Sequence, residues 1–177
     1  DEYLTDWLVK NAIEVNAPMY IRISRDETRT VYTPETKFEA GKGKVIREGK
    51  DATIIACGVM VGQAVEAAEK LAEKDIYVRV IDMFTIKPVD RELILESSAL
   101  TGAIVTAEEH SVIGGLGGAV AEVLTSYGGK IVQEFVGVND CHAECGQYSQ
   151  LLDKYGLGVD SLVAAVEKAI ARKKEKG

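Results

Sequence analysis

Histidine and cysteine are scarce: the 177 residues hold two histidines and three cysteines, Cys57, Cys141 and Cys145. An odd number of thiols with no short-spaced framework excludes a disulfide scaffold and fits a reducing compartment, with the cytoplasm as the expected location. Cys57 lies inside an apolar run and reads as a small core residue. No apolar run approaches the roughly 20 residues that a membrane-spanning helix needs, and no signal peptide is recognisable. Positive charge is also in deficit. Twenty-one Lys and Arg stand against 28 Asp and Glu, a net charge of −7, which disfavours nucleic acid or an anionic membrane as a partner. The one basic cluster, residues 172–176, ends the last expected helix, where cations complement the helix dipole. Neither G-x-x-x-x-G-K-[ST] nor G-x-G-x-x-G is present. An initiator methionine is missing too: the chain opens Asp1-Glu2, as expected of a processed product or a piece of something longer.

What is there is an ordinary globular composition. Hydrophobic residues make up 46% of the chain, enough for one packed α/β domain with a short appendage. Leu4, Leu8, Ala12 and Val15 recur at helical spacing across residues 1–16, with Trp7 beside them. Pro18 breaks this pattern, and residues 19–23 alternate as a strand. One helix and one strand cannot form a core of their own, so residues 1–25 read as the end of a domain whose front lies elsewhere. A polar, irregular stretch follows, giving a linker over residues 26–43 and a second unit over 44–177. Within that unit, strands are expected at 44–47, 53–57, 77–84, 103–107 and 131–136. Helices are expected at 61–74, 90–100, after the glycine cluster near residue 116, at 149–154 and over the C-terminal segment. The strands are apolar at nearly every position and alternate with helices. This pattern predicts a three-layer α/β/α domain around a mainly parallel sheet.

Four constellations have chemical potential. Gly114, Gly115, Gly117 and Gly118 sit between a strand and a helix, where backbone amides either hold an anion or allow close helix–sheet or domain–domain packing. Glu108-Glu109-His110 ends the third parallel strand, the edge where α/β sheets usually bind ligands. A carboxylate beside an imidazole suits proton transfer, and with no nucleophile nearby an interface role for Glu109 and His110 is the alternative. Cys141, His142 and Cys145, with Glu144 between them, invite a metal reading, against which stand the non-standard spacing and the lack of a second ligand pair. Arg22 and Arg25 flank Ser24 at a strand's carboxyl end. There a guanidinium either grips a phosphate or pairs with Asp26 or Glu27.

Taken together, five stretches resemble one family in their order along the chain: APMYIRISR, DATIIACGVMVGQAVEAAEKL, VRVIDMFTIKPVD, GAIVTAEEHSVIGGLGGAVAEVL and VGVNDCHAECGQYSQLLDKYGL. They resemble the C-terminal portion of transketolase, most nearly its two-subunit forms. Deoxyxylulose-phosphate synthase and the β subunit of 2-oxoacid dehydrogenases share the fold and are the alternative identities. The resemblance implies that residues 1–25 are the tail of a pyrimidine-binding domain and that 44–177 are the transketolase C-terminal domain. The implied whole is a dimeric, cytoplasmic enzyme of the pentose phosphate pathway. It moves a two-carbon ketol unit between sugar phosphates with thiamine diphosphate and Mg²⁺. The family's Gly-Asp-Gly…Asn diphosphate segment and its activating glutamate are not in this sequence. The chain alone is therefore expected to bind no cofactor, to contribute no catalytic residue and to be inactive. Its partners would be the remainder of the enzyme and further copies of itself. Arg25, beside Ser24, matches the family arginine that contacts the sugar phosphate; Asp26 and Glu27 follow where the family often has glutamine, or glycine and asparagine. In the late loop Cys141, His142 and Cys145 replace Arg, Phe and Ser of the commoner D-R-F-x-E-S-G wording. Two readings from other classes remain: a standalone subunit-docking domain, and a small metalloprotein using the late cysteines.

Overall fold

In strand β2 (Ala52–Ala56) and strand β3 (Val78–Asp82) every residue is buried, so each strand needs cover on both faces. The computed structural model, which describes residues 1–25 and 27–176, supplies that cover with two helical layers. Asp26 lies outside the described residues, and so does Gly177. Ile54, Val80 and Val105 point to one face, against Ala64 and Leu71 of α2 (Met60–Ala72) and Leu162 and Val166 of α6 (Val159–Lys176). Their chain neighbours Ile55, Ile81 and Ile104 point to the other. There they meet Ile94 of α3 (Arg91–Thr101) and Leu116 and Val120 of α4 (Leu116–Tyr127). The period-two alternation of a strand thus divides the apolar residues between two cores.

The five strands run in the order β1-β3-β2-β4-β5. β2, β3, β4 (Ala103–Ser111) and β5 (Val132–Val138) are parallel, and β1 (Lys44–Arg47) joins β3 antiparallel at one edge. The mainly parallel three-layer expectation is met. Local chemistry sets the helix ends. The Asp90 carboxylate accepts from Leu93 N–H at 3.1 Å to cap α3, and Gly102, at φ 64°, closes it in the left-handed conformation. A short α5 (Tyr148–Lys154) precedes α6.

Two expectations need correcting. Residues 19–23 form no strand: the segment is non-regular and unpaired, with Tyr20 88% exposed. A strand needs a neighbour to take its backbone hydrogen bonds, and none of the described residues offers one there. β4 also runs four residues past its expected end at Ala107, to Ser111. Ala107 pairs with Val136 and Ser111 with Val138, so Glu108, Glu109 and His110 bulge opposite the single residue Gly137. A Cβ at Gly137 would lie 2.9 Å from Val112 Cγ1 and 3.0 Å from the His110 carbonyl, so glycine makes room for the bulge.

Helix α1 (Glu2–Glu14) and the non-regular residues 15–25 and 27–43 pack by the carboxyl ends of the parallel strands, where Arg22 meets Glu109 and Tyr32 meets Asp82. Trp7 and Phe38 each meet Phe84 edge to face and are tilted 45° to one another, and Tyr32 sits edge-on to Phe38 with centroids 4.8 Å apart. The Gly43 amide donates to Asp90 at 3.1 Å and the Gly41 amide to Thr85 at 3.2 Å.

Candidate functional site

Parallel α/β sheets present the carboxyl ends of their strands to ligands. Here that edge collects Cys57 after β2, Asp82 at the end of β3 and Glu108-Glu109-His110 in the β4 bulge. Each is occupied in a different way.

Glu108, 2% exposed, turns inward to the start of α4. Its Oε2 accepts from the Leu116 amide at 2.7 Å and its Oε1 from the Gly117 amide at 2.8 Å. A negative charge placed there is stabilised both by the orphan amides and by the helix dipole. The glycines follow from this arrangement. A Cβ on Gly115 would lie 1.9 Å from Glu108 Oε2, and one on Gly117 2.5 Å from Phe135 Cδ1. Gly114 takes φ 76° in the turn, whereas Gly118 has open space around it. The amides that an external anion would need are therefore engaged by the chain's own carboxylate. Beneath them Cys57 is buried, and burial, reinforced by the Glu108 charge, pushes its thiol up to about 12. It is held as a neutral thiol, not a nucleophile.

Asp82 is also 2% exposed, but it has less support. The Tyr32 hydroxyl donates to its Oδ2 at 2.7 Å, and its Oδ1 has no hydrogen-bond partner among the described residues. Burial pushes the carboxyl up to about 6, with the Tyr32 hydrogen bond opposing. The Tyr32 hydroxyl is raised in turn, by burial first and then by the Asp82 charge. Tyr32 itself is set by Asp1, whose Oδ2 accepts from the Val31 and Tyr32 amides at 2.9 and 2.8 Å. Sequence reading did not single out this pair. The available signal was an acid closing the otherwise apolar run VRVID; nothing in the sequence pointed to Tyr32 as its partner.

Arg22 and Glu109 are brought together. Arg22 Nη1 donates to the Glu109 carbonyl at 2.6 Å and lies 4.0 Å from the Glu109 carboxylate. His110, half exposed, has its Nδ1 2.9 Å from the Ser111 carbonyl and 3.8 Å from Glu108 Oε2. Arg25 is exposed and Ser24 half-buried, and among the described residues neither forms a hydrogen bond or ion pair with this group. Cys141, His142 and Cys145 are exposed, and no described group of three or more His, Cys, Asp and Glu side chains is arranged to hold a metal ion. Their loop is pinned elsewhere: Glu144 pairs with Lys154 at 2.6 Å, and its amide donates to the Tyr155 hydroxyl at 2.8 Å. A groove of about 430 Å³ between α2, α5 and α6 carries Glu66, Asp153 and Asp160 on its walls, a lining that repels phosphate. No helix among the described residues is long and apolar enough to cross a membrane.

Comparison with known proteins places this architecture. Residues 41–162 match the family described as Transketolase, C-terminal domain. A putative transketolase C-terminal section from Methanocaldococcus jannaschii is 40% identical over 94% of this chain and 52% of its own length. A 6-deoxy-6-sulfo-D-fructose transketolase subunit from a Clostridium species is 42% identical over 89% of this chain and 49% of its own. A solved structure described as a split gene transketolase, inactive β4 tetramer, superposes with a TM-score of 0.91 at 51% identity, covering 98% of this chain and 56% of that one. The chain thus spans about half the length of these relatives. With a family match over most of its residues and an α/β sheet that superposes on a solved member, this chain belongs to the transketolase C-terminal domain family.

Proposed function

We propose that this chain is the C-terminal part of a transketolase that moves two-carbon ketol units between sugar phosphates and that it is inactive without the remainder of that enzyme. The observation that carries the reading is the asymmetry of coverage: nearly all of this chain aligns with about half of each relative. The structure adds a chemical reason for inactivity. Thiamine diphosphate with Mg²⁺ needs an anion cradle and acidic metal ligands. The residues described here do not fit that group: Glu108 fills the glycine-rich helix start, and no described cluster of ligands is present. The cofactor would be held by the missing half, and this chain supplies scaffold, an oligomer contact and Arg25. The relative described as an inactive β4 tetramer favours the same division of labour.

Arg25 is read as the contact to the sugar phosphate. It is exposed and uncommitted among the described residues, as a guanidinium awaiting a phosphate should be. The test is ketol transfer from xylulose 5-phosphate to an aldose phosphate, with thiamine diphosphate and Mg²⁺ supplied. This chain alone should show none, and mixing with the remainder should restore it. Turnover by the isolated chain overturns the reading. In the restored enzyme Arg25→Ala should raise KM about tenfold for phosphorylated sugars, the cost of one charge-assisted hydrogen bond, and leave unphosphorylated ones nearly unchanged. An equal effect on both removes the phosphate role.

A further inference from the structure

Arg22 reaches a backbone carbonyl in the β4 bulge, at the carboxyl ends of the strands. Glu108 to His110 stand opposite the single residue Gly137, so the regular β4–β5 ladder is interrupted there. The Glu109 carbonyl instead accepts the Arg22 guanidinium at 2.6 Å, with the Glu109 carboxylate 4.0 Å away. Among the described residues no other hydrogen bond or ion pair joins residues 16–25 to the rest of the chain. We propose that Arg22 is a positioning residue: by clamping onto the β4 bulge at Glu109, it fixes the non-regular segment that presents Arg25 to the sugar phosphate.

The inference rests on the phosphate reading of Arg25. Arg25 lies three residues beyond this anchor, at a bend in a segment that pairs with no strand. A phosphate contact on a segment without that anchor would have to order the segment on binding, and the loss of chain entropy would weaken the contact. Glu109 acts here through its carbonyl, with its carboxylate as a second, weaker hold. That is a structural use for the middle residue of the Glu108-Glu109-His110 triplet, distinct from proton transfer.

Two measurements test the clamp independently of each other. A nitroxide is attached at Ile23→Cys, an exposed position, in the full chain with Cys141 and Cys145 replaced by Ser. Arg22→Ala should narrow its spectrum towards free motion, and Arg22→Lys, which keeps one N–H for the single carbonyl, should restore it. An unchanged spectrum in Arg22→Ala overturns the clamp. In the enzyme reconstituted with its other half, Arg22→Ala should raise KM for xylulose 5-phosphate about fivefold, with kcat and the KM for unphosphorylated xylulose unchanged and recovery in Arg22→Lys. Arg25→Ala is measured in parallel. If Arg25→Ala raises the phosphate KM and Arg22→Ala does not, the Arg25 reading stands and the positioning role falls. If Arg25→Ala itself has no effect on that KM, the phosphate reading falls and takes the positioning role with it.

Discussion

Two carboxylates lie buried on β3 and β4, the strands on either side of β2, and their surroundings treat them differently. Glu108 receives two backbone amides at the start of a helix, while Asp82 receives one tyrosine hydroxyl and keeps an unpartnered oxygen. Asp82 is therefore the residue through which this fold should sense pH. Its carboxyl titrates at about 6 in the folded chain, above the 3.8 of an ordinary aspartate. A raised folded value means a contribution to stability fully present below the unfolded pKa and lost as pH rises through the folded one. The window is about pH 4 to 6, and a rise of that size corresponds to about 3 kcal/mol. Asp82→Asn carries no charge and should lack this slope. Urea denaturation from pH 4 to 7 should show the variant gaining on the unsubstituted chain as pH rises; parallel curves would mean that Asp82 is not the titrating group.

The glycine-rich start of α4 shows at the scale of an element how neighbouring, identical residues differ in consequence. A Cβ on Gly117 would meet Phe135 of β5 at 2.5 Å and Thr106 of β4 at 3.0 Å, and Gly118, one residue on, faces open space. Gly117→Ala should push α4 off the sheet and cost about 1–3 kcal/mol. Gly118→Ala should instead gain up to about 1 kcal/mol from helix propensity. Equal denaturation midpoints for the two variants would contradict the packing described. The order of strands and helices was legible in the sequence because long apolar runs and 3.6-residue periodicity are local signals. β2, β3 and the Asp90 cap of α3 follow from residues adjacent to one another. The bulge in β4 was not legible: it depends on Gly137, and pairing between strands about thirty residues apart leaves no mark in a local window. Nor was the loss of the strand at 19–23, since alternation reports a half-buried environment and not whether a neighbour exists to provide it. The same limit applies at the site, where Arg25 could be picked out by its wording, but the Arg22–Glu109 and Tyr32–Asp82 contacts bridge 87 and 50 residues.

At the scale of the molecule, the distribution of exposed apolar side chains is uneven. Val9 (48% exposed), Ile13 (79%), Met19 (44%), Tyr20 (88%) and Ile23 (53%) all fall in the first 25 residues, on a helix with only Leu4 buried and on a non-regular segment without a strand neighbour among the described residues. Isolated exposed apolar residues are ordinary, but a concentration of them on one segment marks a surface made to be covered. On the proposed function the cover is the other half of the enzyme. Ile13→Lys and Tyr20→Lys should then leave the chain's own stability within about 0.5 kcal/mol, because neither side chain is packed. Both should weaken association with the remainder about tenfold or more, as the loss of a central apolar anchor does. The comparison is Leu100→Lys. Leu100 is 51% exposed at the end of α3, by the amino ends of the strands, and its substitution should leave association unchanged. Titration calorimetry of the two halves separates the cases. A loss confined to positions 13 and 20 places the interface on the N-terminal segment, whereas equal losses at all three positions would mean that charge alone, not a defined contact surface, governs assembly.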